Sequence, residues 1–247
     1  MGALMDVQKI SSVLAMETSL QNRLDLLDVI TEARPCARLT LRRWSEAGTV
    51  AEEILKLGLT VVAGHYYHHH PVSPRNGYVD DFRMDEEVLA EEMICLYIAQ
   101  HEDIAAEARV LDESNNDELF GISLGYPRCC VDFVRTRGSV PKLEEAFSLY
   151  VKNGFYHPFA WPCAWIHDAA LTMNYPCSFD CIHSRALVSG RWELLKRFAG
   201  PPLLNRIIRV HDATYWLTDD GVISSSLRGH QPSHSKAVAK PGERLYL

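Results

Sequence analysis

Cysteine placement limits how this chain can fold. Two blocks echo each other, Gly-Tyr-Pro-Arg-Cys-Cys at 125–130 and Tyr-Pro-Cys-Ser-Phe-Asp-Cys at 175–181. Each sets a Tyr-Pro pair just ahead of cysteine and runs on into a segment with helical character. Thiols delivered to helix starts favour the thiolate form, and thiolates gathered from two chain segments are what a metal ion or an iron–sulfur cluster requires. Any fold compatible with such a site must bring residues 129–130 and 177–181 together across the intervening segment.

The remaining composition narrows the setting. A net charge of −7, with the basic residues scattered, excludes an extended phosphate-binding face, so no extended nucleic-acid binding is expected. No run is long enough and apolar enough for a membrane span, and Met1–Leu20 lacks the basic start and apolar core of a secretory signal. Seven cysteines, an odd number, then point to a reducing cytoplasm, where thiols serve as ligands, catalysts or core residues.

The periodicities predict an α+β protein, helix-rich in its centre, with a short N-terminal strand–helix–strand unit and C-terminal strands. The expected organisation is one globular domain over 1–228. It comprises an α/β unit over 1–80, a cysteine-containing helical core over 81–200 and strands over 201–228, followed by a mobile tail over 229–247. Leu20, Leu24, Leu27 and Ile30 give residues 17–33 the spacing of an amphipathic helix closed by Pro35. Residues 37–44 alternate as a strand. Thr49 reads as an N-cap for a helix to Leu57, and residues 59–63 read as a buried strand. A long helix is predicted from Asp85 to Val110, with Val88, Leu89, Met93, Leu96 and Tyr97 on its apolar stripe. Further helices are expected over 131–137, 141–150 and 179–198. Strands are expected over 206–210, 214–217 and 222–225, the last two joined by the Asp219-Asp220-Gly221 turn.

The principal candidate ligands are Cys129, Cys130, Cys177 and Cys181. Cys36 and Cys95 sit alone in apolar surroundings and read as core; Cys163 stays open between the two roles. Zinc favours compact pairs such as Cys177 and Cys181, whereas adjacent side chains such as Cys129 and Cys130 diverge and suit a larger cluster better. His157, His167 and His183 flank the cysteines and are the candidate proton-handling residues. The run His65–His70 could offer imidazoles to a metal, but consecutive histidines cannot all face one ion. A weaker alternative is a di-iron site using Glu86, Glu87, Glu91, Glu92, His101 and Glu102, although the usual Glu-x-x-His pairing is absent.

The blocks G-Y-P-x-C-C and P-C-S-x-x-C over about residues 118–190 resemble those of a family of prokaryotic proteins of unknown function. More distantly, a vicinal pair followed by a close pair is similar to the cluster-binding pattern of heterodisulfide-reductase B subunits and of a cluster-dependent epoxyqueuosine reductase. Here the close pair is C-x₃-C where those proteins have C-x₂-C, so the likeness implies a [4Fe–4S] cluster rather than either activity. The expected function is an iron–sulfur enzyme, an oxidoreductase or lyase, performing redox or Lewis-acid chemistry on a small molecule with an electron-donor protein as partner. The alternatives are a structural zinc-binding interaction domain and a non-haem di-iron oxidase.

Overall fold

The computed structural model describes residues 2–41, 44–69, 82–83, 92–137, 169–172, 174, 176–178, 181–213, 215–217, 223–225 and 237–239. The predicted helix over 141–150 and most of residues 154–176, including His157, Cys163 and His167, lie outside them. The architecture is α+β. Two compact units emerge, one holding the described residues up to Val131 and the other those from Asp132 onward.

In the first unit, α1 (Gly2–Ala15) and α2 (Leu20–Ile30) precede strand β1 (Cys36–Leu41). Ser19 caps α2 by accepting from the Asn22 N–H, and the leucines of the predicted stripe are buried. Helix α3 (Trp44–Lys56) begins ahead of Thr49, which is therefore an interior residue rather than an N-cap. Gly58 ends this segment with φ of 78°, a left-handed conformation that glycine adopts without a Cβ clash. Strand β2 (Thr60–His69) follows, then β3 (Phe82–Arg83) and β4 (Glu92–Ala99), in the antiparallel order β1-β4-β2-β3. Both β1 and β2 run antiparallel to β4, so the expected strand–helix–strand unit is present but split by a strand between its two arms.

The predicted helix from Asp85 to Val110 is overturned. Residues 85–91 lie outside the described residues; of the rest, Glu92–Ala99 form the central strand β4 and Glu102–Glu113 are helical, as α4. Ile94, Cys95, Leu96, Tyr97, Ile98 and Ala99 are all buried, so the segment reads as a continuous apolar run with no exposed face. One face packs Cys36, Cys95, Tyr97 and Ala99 against Ala105 and Ala108 of α4, and against Phe120 and Leu124 at α5 (Asp117–Ser123). On that face Arg38 and Tyr97 are cross-strand partners and converge on Asp112. Arg38 Nη1 donates to its two oxygens at 3.1 and 2.9 Å, and the Tyr97 hydroxyl donates at 2.5 Å. The first unit ends inside α6 (Arg128–Arg137).

The second unit contains α7 (Ile182–Phe198), α8 (Pro201–His211) and a three-stranded antiparallel sheet. The strand predicted over 206–210 is instead part of α8. Gly200 is its N-cap with proline at the first helical positions, and Ile207, Val210 and His211 form its buried side. The predicted C-terminal hairpin is present as β5 (Tyr215–Leu217) and β6 (Ile223–Ser225). Ala237–Ala239, within the segment read as a tail, pairs with β5 as β7. No helix among the described residues is long and apolar enough to cross a membrane.

Candidate metal centre

The first cysteine pair is delivered by a tightly specified turn. Helix α5 ends in a Schellman arrangement: the Gly125 N–H donates to Ile122 O at 2.8 Å and the Tyr126 N–H to Gly121 O at 3.0 Å. Gly125 takes φ of +73°, and a Cβ there would come within 3.1 Å of Arg34 Cγ and Pro35 Cδ. Pro127 follows, and its carbonyl accepts from the Cys130 and Val131 N–H groups at 2.8 and 3.1 Å, launching α6. Cys129 and Cys130 thus occupy the first turn of that helix. Gly, Tyr and Pro in the block fix where the helix starts; the two cysteines are what it presents.

Arg34 completes this turn. Its guanidinium is buried, its Nε donates to the Leu124 carbonyl, and it stacks 5.1 Å from the Tyr126 ring centroid. Asp25 and Asp28, one helical step apart on α2, lie 3.6 and 3.9 Å from Nη1 and compensate its charge. Sequence reasoning missed this group. The available signal was a pair of acids at i and i+3 within the otherwise apolar run over residues 24–30, followed closely by arginine.

The second pair is set differently. Helix α7 starts at Ile182 rather than at 179, and Cys181 is its N-cap, its carbonyl accepting from the Arg185 N–H at 2.9 Å. The Cys181 N–H in turn donates to Ser178 O at 3.2 Å. Upstream, residues Ala169, Ala170, Leu171, Thr172 and Asn174 are buried without regular structure. Buried side chains from α7 and α8 satisfy their backbone: Arg191 Nη1 donates to Leu171 O at 2.9 Å, and His211 Nε2 lies 3.0 Å from Ala169 O. Asn174 Nδ2 donates to Ser184 Oγ at 3.4 Å, and Thr172 Oγ1 to Asn174 O at 3.0 Å.

The sulfurs of Cys129, Cys130, Cys177 and Cys181 all lie within 4.8 Å of one another, close enough to bind a metal. Cys129 and Cys130 are themselves 3.9 Å apart, Sγ to Sγ, so the expectation that vicinal side chains diverge does not hold here. Cys130 and Cys181 are buried; Cys129 and Cys177 are partly exposed. Thiols of this group stand at the N-terminal regions of two helices, α6 and α7.

The other candidates fare unequally. His183 is exposed on the first turn of α7 and is not part of the four-residue group. The backbone of His65–His69 lies in β2, paired through His68 and His69 with β3; His70 and these side chains lie outside the described residues. Of the di-iron candidates, Glu86, Glu87 and Glu91 lie outside the described residues; Glu92 is in strand β4 rather than the expected helix, and His101 and Glu102 stand at the start of α4. Cys36 and Cys95 are core residues of the first unit, and burial raises both thiol pKa values, that of Cys36 to about 11. No protein-family model, curated protein or solved structure matches the chain.

Proposed function

We propose that this chain is a metalloprotein in which Cys129, Cys130, Cys177 and Cys181 hold one tetrahedral ion of the zinc class. The observation carrying this reading is the spacing of the sulfurs, all within 4.8 Å of one another. Four thiolates on a zinc-sized ion, with bonds of about 2.3 Å, sit about 3.8 Å apart along each tetrahedral edge. A cubane places each thiolate on a different iron and spreads them to roughly 6 Å. The 3.9 Å separation of Cys129 and Cys130 matches the single ion. A closed tetrathiolate shell leaves no position for substrate, so the ion's contribution is to tie the start of α6 to the approach to α7. The protein is then a binding module in a reducing compartment such as the cytoplasm.

The second reading is the [4Fe–4S] cluster, acting by redox or Lewis-acid chemistry on a small molecule. Its supporting observation is that one thiol of each pair, Cys129 and Cys177, is partly exposed. That exposure would give substrate or an electron donor access to a cluster edge, with His183 and His157 or His167 as proton carriers. Metal and acid-labile sulfide analysis after anaerobic purification decides between the two. One zinc per chain without sulfide, lost on Cys177→Ser, supports the single ion. Brown protein with iron and sulfide overturns it in favour of the cluster, and protein that neither contains nor takes up thiophilic metal overturns both.

A further inference from the structure

The two cysteine blocks share a feature beyond their sequence likeness. In each, a buried arginine from elsewhere in the same unit donates to the carbonyl of a leucine just upstream of the Tyr-Pro pair. Arg34 binds the Leu124 carbonyl ahead of Tyr126-Pro127, and Arg191 binds the Leu171 carbonyl ahead of Tyr175-Pro176. Only 2% of Arg34 and 3% of Arg191 is exposed, so both guanidinium groups are held in the interior at a desolvation cost. We propose that Arg34 and Arg191 are the positioning residues of the thiolate site, each fixing the stretch of chain that presents one cysteine pair. This rests on the reading of the four thiols as metal ligands.

A stretch that must present thiols at a fixed spacing cannot rely on the metal alone, because the ligands repel one another once deprotonated. The Leu124 carbonyl stands at the C-cap of α5 and the Leu171 carbonyl in a stretch without regular structure, and each accepts from one guanidinium. A planar guanidinium can donate to such a carbonyl and still pack flat, which an ammonium group cannot do. At the first stretch, Arg34 donates through Nε while its face covers Tyr126 and its Cγ abuts Gly125. At the second, Arg191 acts beside the Thr172–Asn174–Ser184 hydrogen bonds, which join the chain before Cys177 to the helix after Cys181. Neither arginine needs to touch a sulfur to act. Groups that orient metal ligands indirectly commonly change metal affinity by about ten- to a hundredfold when replaced.

The test uses full-length protein carrying Arg34→Lys or Arg191→Lys, freed of metal and titrated anaerobically with Co²⁺ and then Zn²⁺ against a competing chelator. The expected result is a loss of affinity of about tenfold or more for each variant, with a weakened or shifted thiolate-to-cobalt charge-transfer band. Wild-type affinity and an unchanged cobalt spectrum in folded variants overturn the proposal. Equal loss of thermal stability with and without metal, at unchanged affinity, also overturns it, since the arginines would then serve the fold only. Should a lysine variant not fold, Gly125→Ala and Ser184→Ala disturb the same stretches while leaving both buried charges in place, and the same affinity criterion applies. Wild-type protein that takes up neither ion overturns the metal reading itself, a result distinct from unchanged variants of a metal-binding wild type.

Discussion

The sulfurs of Cys129 and Cys130 lie 3.9 Å apart although the two residues are consecutive on a helix. Within a helix interior such neighbours point about 100° apart, and the preceding turn blocks the rotamers that could bring them together. Here both residues lie in the first turn of α6, where no preceding turn exists. A vicinal pair can therefore act as two ligands to one ion when placed at a helix start. Cobalt substitution should give the intense thiolate charge-transfer absorption of a tetrahedral four-sulfur site. Serine at either Cys129 or Cys130 should weaken cobalt binding and reduce that absorption, and equal retention by both variants would exclude the pair from the ligand set.

Removing the metal should lower the melting temperature. A ligand that binds only the folded chain stabilises it by about 2.7 kcal/mol at a free concentration a hundred times its dissociation constant. Differential scanning calorimetry with and without a strong chelator reads this directly. The transition should move down with chelator in the wild type and stay fixed in Cys177→Ser.

Cys36 makes stability fall at alkaline pH. Burial raises its thiol pKa from 9.0 to about 11, with Arg34 partly offsetting that effect. Between those values the unfolded chain releases the proton and the folded chain keeps it. The stabilisation is thus fully present below pH 9 and lost as pH rises towards 11, by about 2–3 kcal/mol in all. Urea denaturation of wild type and Cys36→Ala from pH 8 to 11 should show a steeper decline in the wild type. The same burial predicts that iodoacetamide at pH 8 alkylates Cys129 and Cys177 of metal-free protein well before Cys36 or Cys95.

Replacing Arg34 by leucine should cost about 3–5 kcal/mol, because Asp25 and Asp28 would be left buried without a counter-charge. Chemical denaturation measures this. Adding Asp25→Asn and Asp28→Asn to Arg34→Leu should recover part of the loss; no recovery would mean that the carboxylates are not the reason for it.

Gly64→Ala should also destabilise the sheet. A Cβ at this position would fall 2.6 Å from Tyr97 Cε2, beside the irregularity in the β2–β4 pairing between Ala63 and Tyr66. Overpacking of this kind costs about 1–3 kcal/mol. If the clash with the ring is the cause, Tyr97→Leu should make the alanine tolerable in a double-mutant cycle.

Elements whose pattern depends on one face were legible in the sequence. Helix α2 and the β5–β6 hairpin follow from apolar spacing and turn residues, and the four cysteines that come together were identifiable from their repeated Tyr-Pro context. Residues 92–113 misled because alanine, glutamate and leucine favour helix, while the central strand contributes no alternation when both its faces are buried. The informative signal was local: Met93 to Ala99 is an unbroken apolar run containing Ile94, Tyr97 and Ile98, too short and too β-prone for a buried helix. At 206–210 two adjacent isoleucines suggested a strand, whereas Pro201-Pro202 marked a helix start ahead of them. Arg34 and Arg191 were invisible for a different reason. Their partners are backbone carbonyls far away in sequence, and a carbonyl has no letter.

Strand β4 lies between β1 and β2 although it comes after both in the chain. As the polypeptide leaves the ribosome, the first two long strands therefore emerge without the strand that pairs with both, and the sheet can close only once Ala99 is clear of the exit tunnel. Until then, two apolar strand edges are open to other chains, a window in which aggregation competes with folding. Chains stalled before Glu92 should for that reason recruit chaperones, and chains stalled well past Ala99 should release them.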